Sequence, residues 1–300
     1  MIDQLIDGTQ RITVTEGRTP TIAPFLSIVR RNGDTARNPG VLTPSFCLIL
    51  QGDKRLYLGE RIFQYGTGDY LASLLDIPAS AQVVGASPDK PYIGLRVDFT
   101  TQEIASVVME ADIRKPSPAS PTAAAFVGKA DADLLDIFHR LLQRVVQGRD
   151  DAFRLELLKK EMLYNLLSGD YGHLFLQRGL FDQRADGVAK AIQWITRNYA
   201  RSFTVEELAK SCNMSVSGLH HKFKAITTMG PLQYQKQLRL QEARRLLLSG
   251  PIGATSAAMA VGYDSPTQFN REYRRLFGQP PLQDAKAMRL ASGVASFADS

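Results

Sequence analysis

Residues 203–224 read FTVEELAKSCNMSVSGLHHKFK, and their punctuation decides the fold of the last third of the chain. Thr204 stands at a helix N-cap with Glu207 at N3, the capping-box arrangement in which each side chain satisfies a free backbone N–H of the other. The helix VEELAKSC follows, and Asn213 sits where the chain must turn sharply. Asn enters the left-handed conformation more readily than most residues other than glycine. Ser215 caps the next helix, in which Leu219 and Phe223 recur at i and i+4 and face inward. Two short helices joined by a four-residue turn form a helix-turn-helix.

The same plan returns downstream. ATSAAMAVGY (254–263) is a small-residue helix closing at Gly262, and Ser265-Pro266-Thr267-Gln268 supplies a serine cap, a proline at N1 and a glutamine at N3. Phe269 and Tyr273 repeat the inward pair of Leu219 and Phe223, and LFGQPP (276–281) stops the unit. Between the copies, GPLQYQKQLRLQEARRLLLSG (230–250) predicts a spacer helix of about 18 residues, or about 27 Å. A helix-turn-helix sets its second helix in the DNA major groove, and two such helices on a rigid spacer can enter successive grooves about 34 Å apart.

Charge agrees with that partner. Residues 187–289 carry 15 Lys and Arg against 6 Asp and Glu, whereas the rest of the chain carries 21 against 24, so the net charge of +6 conceals a basic end on a mildly acidic body. Of the chain's 4 histidines, His220 and His221 are neighbours, and adjacent helical residues diverge by about 100°, so they cannot share a metal ion. His139 and His173 lie far from that pair in sequence, with no Cys beside them. The 2 cysteines, Cys47 and Cys212, lack CxxC spacing and form neither a disulfide framework nor a zinc site. No apolar run reaches the roughly 18 residues of a membrane span. Met1–Gly8 is acidic where a signal peptide is basic. The expected location is the cytoplasm.

From Ser27 to Phe99 the pattern is strand-like: LSIVR, SFCLILQ, KRLYLG, RIFQY, DYLAS, AQVVGA and YIGLRVDF, with turns at Gly52-Asp53, Gly59-Glu60 and Gly66-Thr67-Gly68. Such runs predict an antiparallel sandwich or barrel. A helix follows over 101–111, then the proline-rich break KPSPASP (115–121), then amphipathic helices over 131–148 and 152–168, the second ending at a glycine stop, Ser168-Gly169. LLDIFHRLLQRVV has an apolar face that something must cover.

FTVEELAKSCNMSVSGLHHKFK, PLQYQKQLRLQEARRLL and VGYDSPTQFNREYRRLFGQPP, in this order, resemble the DNA-binding domain of AraC-type (AraC/XylS) transcription regulators over about 187–284. Three departures touch caps and packing: Gly230-Pro231 replaces the usual Ser-Pro, Gly253-Ala254-Thr255 lacks the common acid, and PLQDAKAMR lacks an aromatic-Arg ending. The resemblance implies base contacts from Ser217, His220, His221, Thr267, Gln268, Asn270 and Arg271. It implies phosphate contacts from Lys222, Lys224, Arg274 and Arg275, and RNA polymerase as a further partner of the DNA-bound protein.

The stretch PSFCLILQGDKRLYLGERIFQYGTGDYLAS, with ASPDKPYIGLRVDF, resembles the cupin-like N-terminal domain of one AraC-type subgroup. Cupin enzymes hold a metal with histidines, and no histidine precedes His139, so no metal, cofactor or catalytic residue is expected. Cys47, Tyr57, Tyr65, Tyr70 and Arg96 are the candidate effector-binding residues. The expectation is a two-domain α+β protein. Residues 1–180 form an N-terminal antiparallel β-barrel, cupin-like and with helices, that senses a small-molecule effector and forms a homodimer through the helices at 131–168. Residues 187–289 form an all-α double helix-turn-helix, and 290–300 a disordered tail. The expected function is a ligand-responsive activator that binds double-stranded DNA and is not an enzyme. A regulator without effector and a non-metal cupin enzyme with an accessory helical domain are the alternatives.

Overall fold

The structure, a computed structural model, describes residues 1–59, 61–113, 124–149, 151–181, 187–250 and 252–291. The break at 115–121 and the tail from 292 onward lie outside them. Two units divide the chain, one of Met1–Arg37, Leu42–Ile77 and Ala81–Asp186, the other starting at Gly187 and taking in Asn38–Val41 and Pro78–Ser80. No helix among the described residues is long and apolar enough to cross a membrane.

The N-terminal region opens with helix α1 (Ile2–Ile12) and strands β1 (Gly17–Pro20), β2 (Leu26–Arg31), β3 (Asn38–Leu42), β4 (Ser45–Gln51) and β5 (Asp53–Leu58). It continues through β6 (Arg61–Tyr65), β7 (Asp69–Ser73), β8 (Ile77–Val84), β9 (Tyr92–Asp98), α2 (Thr101–Glu110) and β10 (Ala125–Lys129). Three helices follow: α3 (Ala132–Val146), α4 (Ala152–Ser168) and α5 (Gly172–Phe181). The strands form a six-stranded sheet of order β1-β2-β9-β4-β7-β10 and a four-stranded sheet of order β3-β8-β5-β6. Pairing is antiparallel at each junction of the larger sheet. Gly52 turns β4 into β5 at φ 83°, and a Cβ there would stand 3.2 Å from the Tyr92 backbone, so glycine is required twice over.

Paired residues on neighbouring strands share a face. Phe46, Leu48 and Leu50 of β4 and Ile93, Leu95 and Val97 of β9 lie on one face of the larger sheet, in a core with Ile104 of α2, Phe138 and Leu141 of α3, Met162 of α4 and Phe175 of α5. Cys47 and Ile49 lie on the other face, opposite Arg96 and Gly94, and are buried as well. Strand β4 is therefore covered on both sides, which is why SFCLILQ is apolar throughout and does not alternate.

The apolar face of α3, expected to need an outside partner, is covered from within. Leu134, Ile137, Phe138, Leu141, Leu142 and Val145 all belong to the unit's own core, and α1 packs along the helix with Gly8 against Leu142. The exposed apolar residues of the helical pair are instead Phe153, Leu157 and Tyr164 on α4. Helix α4 does end at Gly169, but that glycine is extended and not left-handed. A full capping box, Thr100 with Glu103, starts α2.

Among the described residues from Gly187 on, all regular structure is helical: α6 (Gly187–Arg197), α7 (Val205–Ser211), α8 (Val216–Thr227), α9 (Pro231–Ser249), α10 (Ala254–Ala260), α11 (Pro266–Phe277) and α12 (Pro281–Ala291). Helix α12 runs two residues past 289, into what the sequence suggests is tail.

Candidate nucleic-acid interface

Helices α7 and α8 make the first helix-turn-helix. Thr204 accepts from the Glu207 N–H at 3.1 Å, but the Glu207 carboxylate pairs with Arg201, so only half of the expected capping box forms. Asn213 takes the left-handed conformation at φ 55°, as its place in the turn predicts. Ser215 caps α8 by accepting from Gly218 N–H. Leu219 and Phe223 are fully buried, the Phe223 ring meeting Tyr234 of α9 edge-on at 5.4 Å. With those two residues inward, Ser217, His221 and Lys224 fall on the outward face of α8 and are exposed. Lys222 is exposed on one flank and His220 on the other, where its ring stands 3.5 Å from where a Cβ on Gly230 would lie. Gly230 caps α9 without any side-chain bond. The two histidines thus differ in setting: one lies beside a helix start, the other faces solvent.

Helices α10 and α11 make the second unit, whose turn is longer by one residue. Gly262 turns the chain at φ 88°, and a Cβ on it would collide with the Ala200 backbone carbonyl. Tyr263 fills the longer turn, packing on Phe269 at 5.3 Å and donating its hydroxyl to Glu272 at 2.8 Å. Ser265 caps α11 by accepting from Gln268 N–H, while the Gln268 side chain turns away to Glu272. Phe269 and Tyr273 are fully buried. Tyr273 donates to Asp284 of α12, whose carboxylate also receives a two-pronged bond from Arg244 of α9 at 2.7 and 2.8 Å. Burial and that carboxylate push the Tyr273 phenol far above its ordinary range. Arg239 ties the Tyr199, Ala200 and Gly262 carbonyls together.

On the outside of α11 lie Thr267, Gln268, Asn270, Arg271, Arg274 and Arg275, all exposed. Asn270 and the three arginines line a cleft of about 820 Å³ against Pro280, Pro281 and Leu282. Among the described residues no ion pair engages those three arginines, so their charge faces outward. Helix α9 joins the two units. Its Tyr234 packs in the first, and its Leu240, Ala243 and Leu247 share a core with Phe269 and Tyr273 of the second. At 19 residues it spans about 28 Å.

Of the residues expected to hold an effector, the structure brings three together. Cys47 pairs with Arg96 across β4 and β9, and the Tyr65 phenol of β6, pushed up chiefly by burial, is pushed up further by Cys47 and drawn down by Arg96. Tyr92, which sequence reading missed, joins them, its hydroxyl packed over Gly94, where a Cβ would stand 2.8 Å away. Gly94, two residues beyond the aromatic on the same strand face, is the signal that marks the spot. Burial, then the neighbouring thiol, pushes both phenols well above their ordinary range. Among the described residues neither hydroxyl has a hydrogen-bond partner of good geometry; the Cys47 thiol beside Tyr92 is a weak one. Arg96 is tied to Asp98 and Thr43. Tyr70 and Tyr57 point elsewhere: Tyr70 packs tilted against Phe46 in the helix-covered core, and Tyr57 pairs with exposed Ile62, bonded to Gln82 under Arg37. Period-two alternation puts them on the opposite sheet faces.

Residues 23–174, just over half the chain, match the family described as AraC-type transcriptional regulator N-terminus, and residues 208–287 match a helix-turn-helix domain family. The chain belongs to the AraC-type transcriptional regulators. It is similar to the HTH-type transcriptional activator RhaS of Pectobacterium atrosepticum, 32% identical over 109 residues, 36% of this chain and 39% of RhaS. It is also similar to the lactose operon transcription activator of Staphylococcus xylosus, 29% identical over 154 residues, 50% of this chain and 54% of that one. The chain thus spans between about two fifths and just over half of the length of these curated relatives. Among solved structures, ToxT of Vibrio cholerae with an unsaturated fatty acid bound shares the fold at a TM-score of 0.63 and 12% identity, covering 90% of this chain and 96% of ToxT. Antiparallel sheets followed by a helical pair of helix-turn-helix units is thus the fold of this AraC-type chain.

Proposed function

We propose that this AraC-type protein binds double-stranded DNA sequence-specifically through α8 and α11 and regulates transcription as an activator. The observation that carries the reading is the pair of outward faces, each backed by a buried aromatic or aliphatic pair, set on one 19-residue helix. A spacer of about 28 Å suits helices entering grooves about 34 Å apart. Arg271, with Thr267, Gln268 and Asn270, reads bases in one segment, and Ser217 and His221, flanked by His220, read them in the other. Lys222, Lys224, Arg274 and Arg275 hold phosphates. Residues 187–289 are the DNA-binding domain, and RNA polymerase is the partner at the promoter.

Residues 1–180 sense and assemble. The effector is a small molecule that accepts hydrogen bonds from the poorly partnered Tyr65 and Tyr92 hydroxyls beside Cys47 and Arg96, where an ill-satisfied buried hydroxyl is costly. The homodimer forms through the Phe153, Leu157 and Tyr164 stripe of α4. The protein works in the cytoplasm and performs no catalysis.

The test is equilibrium binding of the purified chain to a duplex selected from a randomised pool and to random duplex, at two salt concentrations. Tight, selective binding that falls steeply with salt is expected, because phosphate contacts release counterions. Equal affinity for both duplexes overturns the reading.

A further inference from the structure

On α11, Gln268 and Glu272 stand one turn apart, and Gln268 Nε2 donates to Glu272 Oε1 at 3.2 Å. Glu272 is itself held from two other elements. Tyr263 of the turn donates to its Oε2 at 2.8 Å, and Lys236 of α9 lies 3.2 Å from its Oε1. Only 14% of its side chain is exposed. Burial alone would raise its pKa, but the bonds from Tyr263, Gln268 and Lys236 outweigh it and hold the carboxyl below its ordinary value. It is therefore ionised at neutral pH and can only accept.

That has a stereochemical result. A free glutamine amide flips, exchanging its oxygen and nitrogen, and reads donors and acceptors alike. Facing an ionised carboxylate, Gln268 must present its NH₂ group. One N–H is then committed, and the carbonyl oxygen and the second N–H remain side by side in one fixed polarity. Adenine offers the complement of that pair in the major groove, an N6 amino donor next to the N7 acceptor. We infer that Glu272 is a positioning residue that locks the Gln268 amide in one sense and makes Gln268 a reader of adenine. This rests on the reading of α11 as a recognition helix. The first unit has no such device: three residues after its capping serine stands Gly218, and where α11 has Glu272, α8 has Lys222.

The experiment varies each base pair of a duplex that the wild-type chain selects from a randomised pool. It measures equilibrium binding of wild type, Gln268→Ala, Glu272→Gln and Tyr263→Phe, with random duplex as reference. Wild type prefers adenine at one base pair. Gln268→Ala and Glu272→Gln each lower that preference about tenfold, at the same base pair, the loss expected of one bidentate contact. Affinity for random duplex holds or rises, since Glu272→Gln removes a negative charge near phosphates. Tyr263→Phe removes one anchor of Glu272 and gives a smaller loss at the same base pair, which keeps the proposal testable should Glu272→Gln fail to fold. The proposal is overturned if Glu272→Gln leaves base preference unchanged, shifts it at a different base pair, or weakens all sequences alike. A wild-type chain without base preference anywhere sinks the recognition reading itself. Base preference insensitive to Gln268→Ala sinks only the lock.

Discussion

The two helix-turn-helix units present the same outline and are held together differently. Each has a serine cap, an inward pair at i and i+4, and a C-cap in the left-handed region, at Thr228 and Gly278. The first closes its turn with Asn213, and its core is the apolar set around Leu219 and Phe223. The second needs Gly262 against the Ala200 carbonyl, fills a longer turn with Tyr263, and buries Arg244, Asp284 and Tyr273 in one network. Apolar packing tolerates volume-conserving exchange, whereas a buried ionic network tolerates the loss of no member. The second unit is thus the one more sensitive to substitution, and it also carries the arginines. The first offers Ser, His and Lys, chemistries that adapt to more than one base.

The largest expected difference is at the turns. Gly262→Ala meets both a left-handed φ and a backbone carbonyl and should cost about 5 kcal/mol or more, the range of a forced backbone clash. Asn213→Ala meets only the conformational penalty of about 1–2 kcal/mol. Chemical denaturation of the two variants measures both, and equal costs would erase the contrast. Next comes the network. Asp284→Asn leaves the Arg244 guanidinium without its carboxylate and should cost about 3–5 kcal/mol in the same measurement.

Smaller effects separate the outward faces. Arg271→Ala should lose about 1–3 kcal/mol on the selected duplex and little on random DNA. His221→Ala, at the matching place on α8, should lose less but in the same selective manner. Lys224→Ala should weaken both duplexes alike and lower the salt slope by about one. His220→Ala should affect DNA least, because its ring lies against Gly230 at the start of α9. Identical behaviour of the two histidines would refute the assignment of faces.

What was legible in the sequence follows the range of the forces involved. Caps, inward pairs and the left-handed Asn213 depend on neighbours within a turn or two, and the motif letters carry them. The half-formed box at Thr204 was not legible, since Arg201 captures Glu207. Helix α1 was missed although IDQLIDGTQRI sets Ile2, Leu5, Ile6 and Thr9 on one helix face; Gly8 interrupts the pattern, and the α3 surface that covers it lies more than a hundred residues away. Strands β1, β3 and β10 are short, and only their partners define them. Which of Cys47, Tyr57, Tyr65, Tyr70 and Arg96 come together was half legible. SFCLILQ is buried on both sides and offers no alternation, so only the register could show that Cys47 and Arg96 share a face while Tyr70 lies on the other.

In the proposed mode of binding, α8 and α11, fixed on α9, read two major-groove segments on the same side of one duplex. The most direct measurement compares equilibrium binding of the intact chain to its selected duplex and to the same duplex with about five base pairs inserted between the two read segments. That insertion rotates one segment by about half a turn and moves it away from its helix. Affinity should fall toward that for random DNA. An unchanged affinity would contradict the account, because it would mean that one helix-turn-helix does the reading alone.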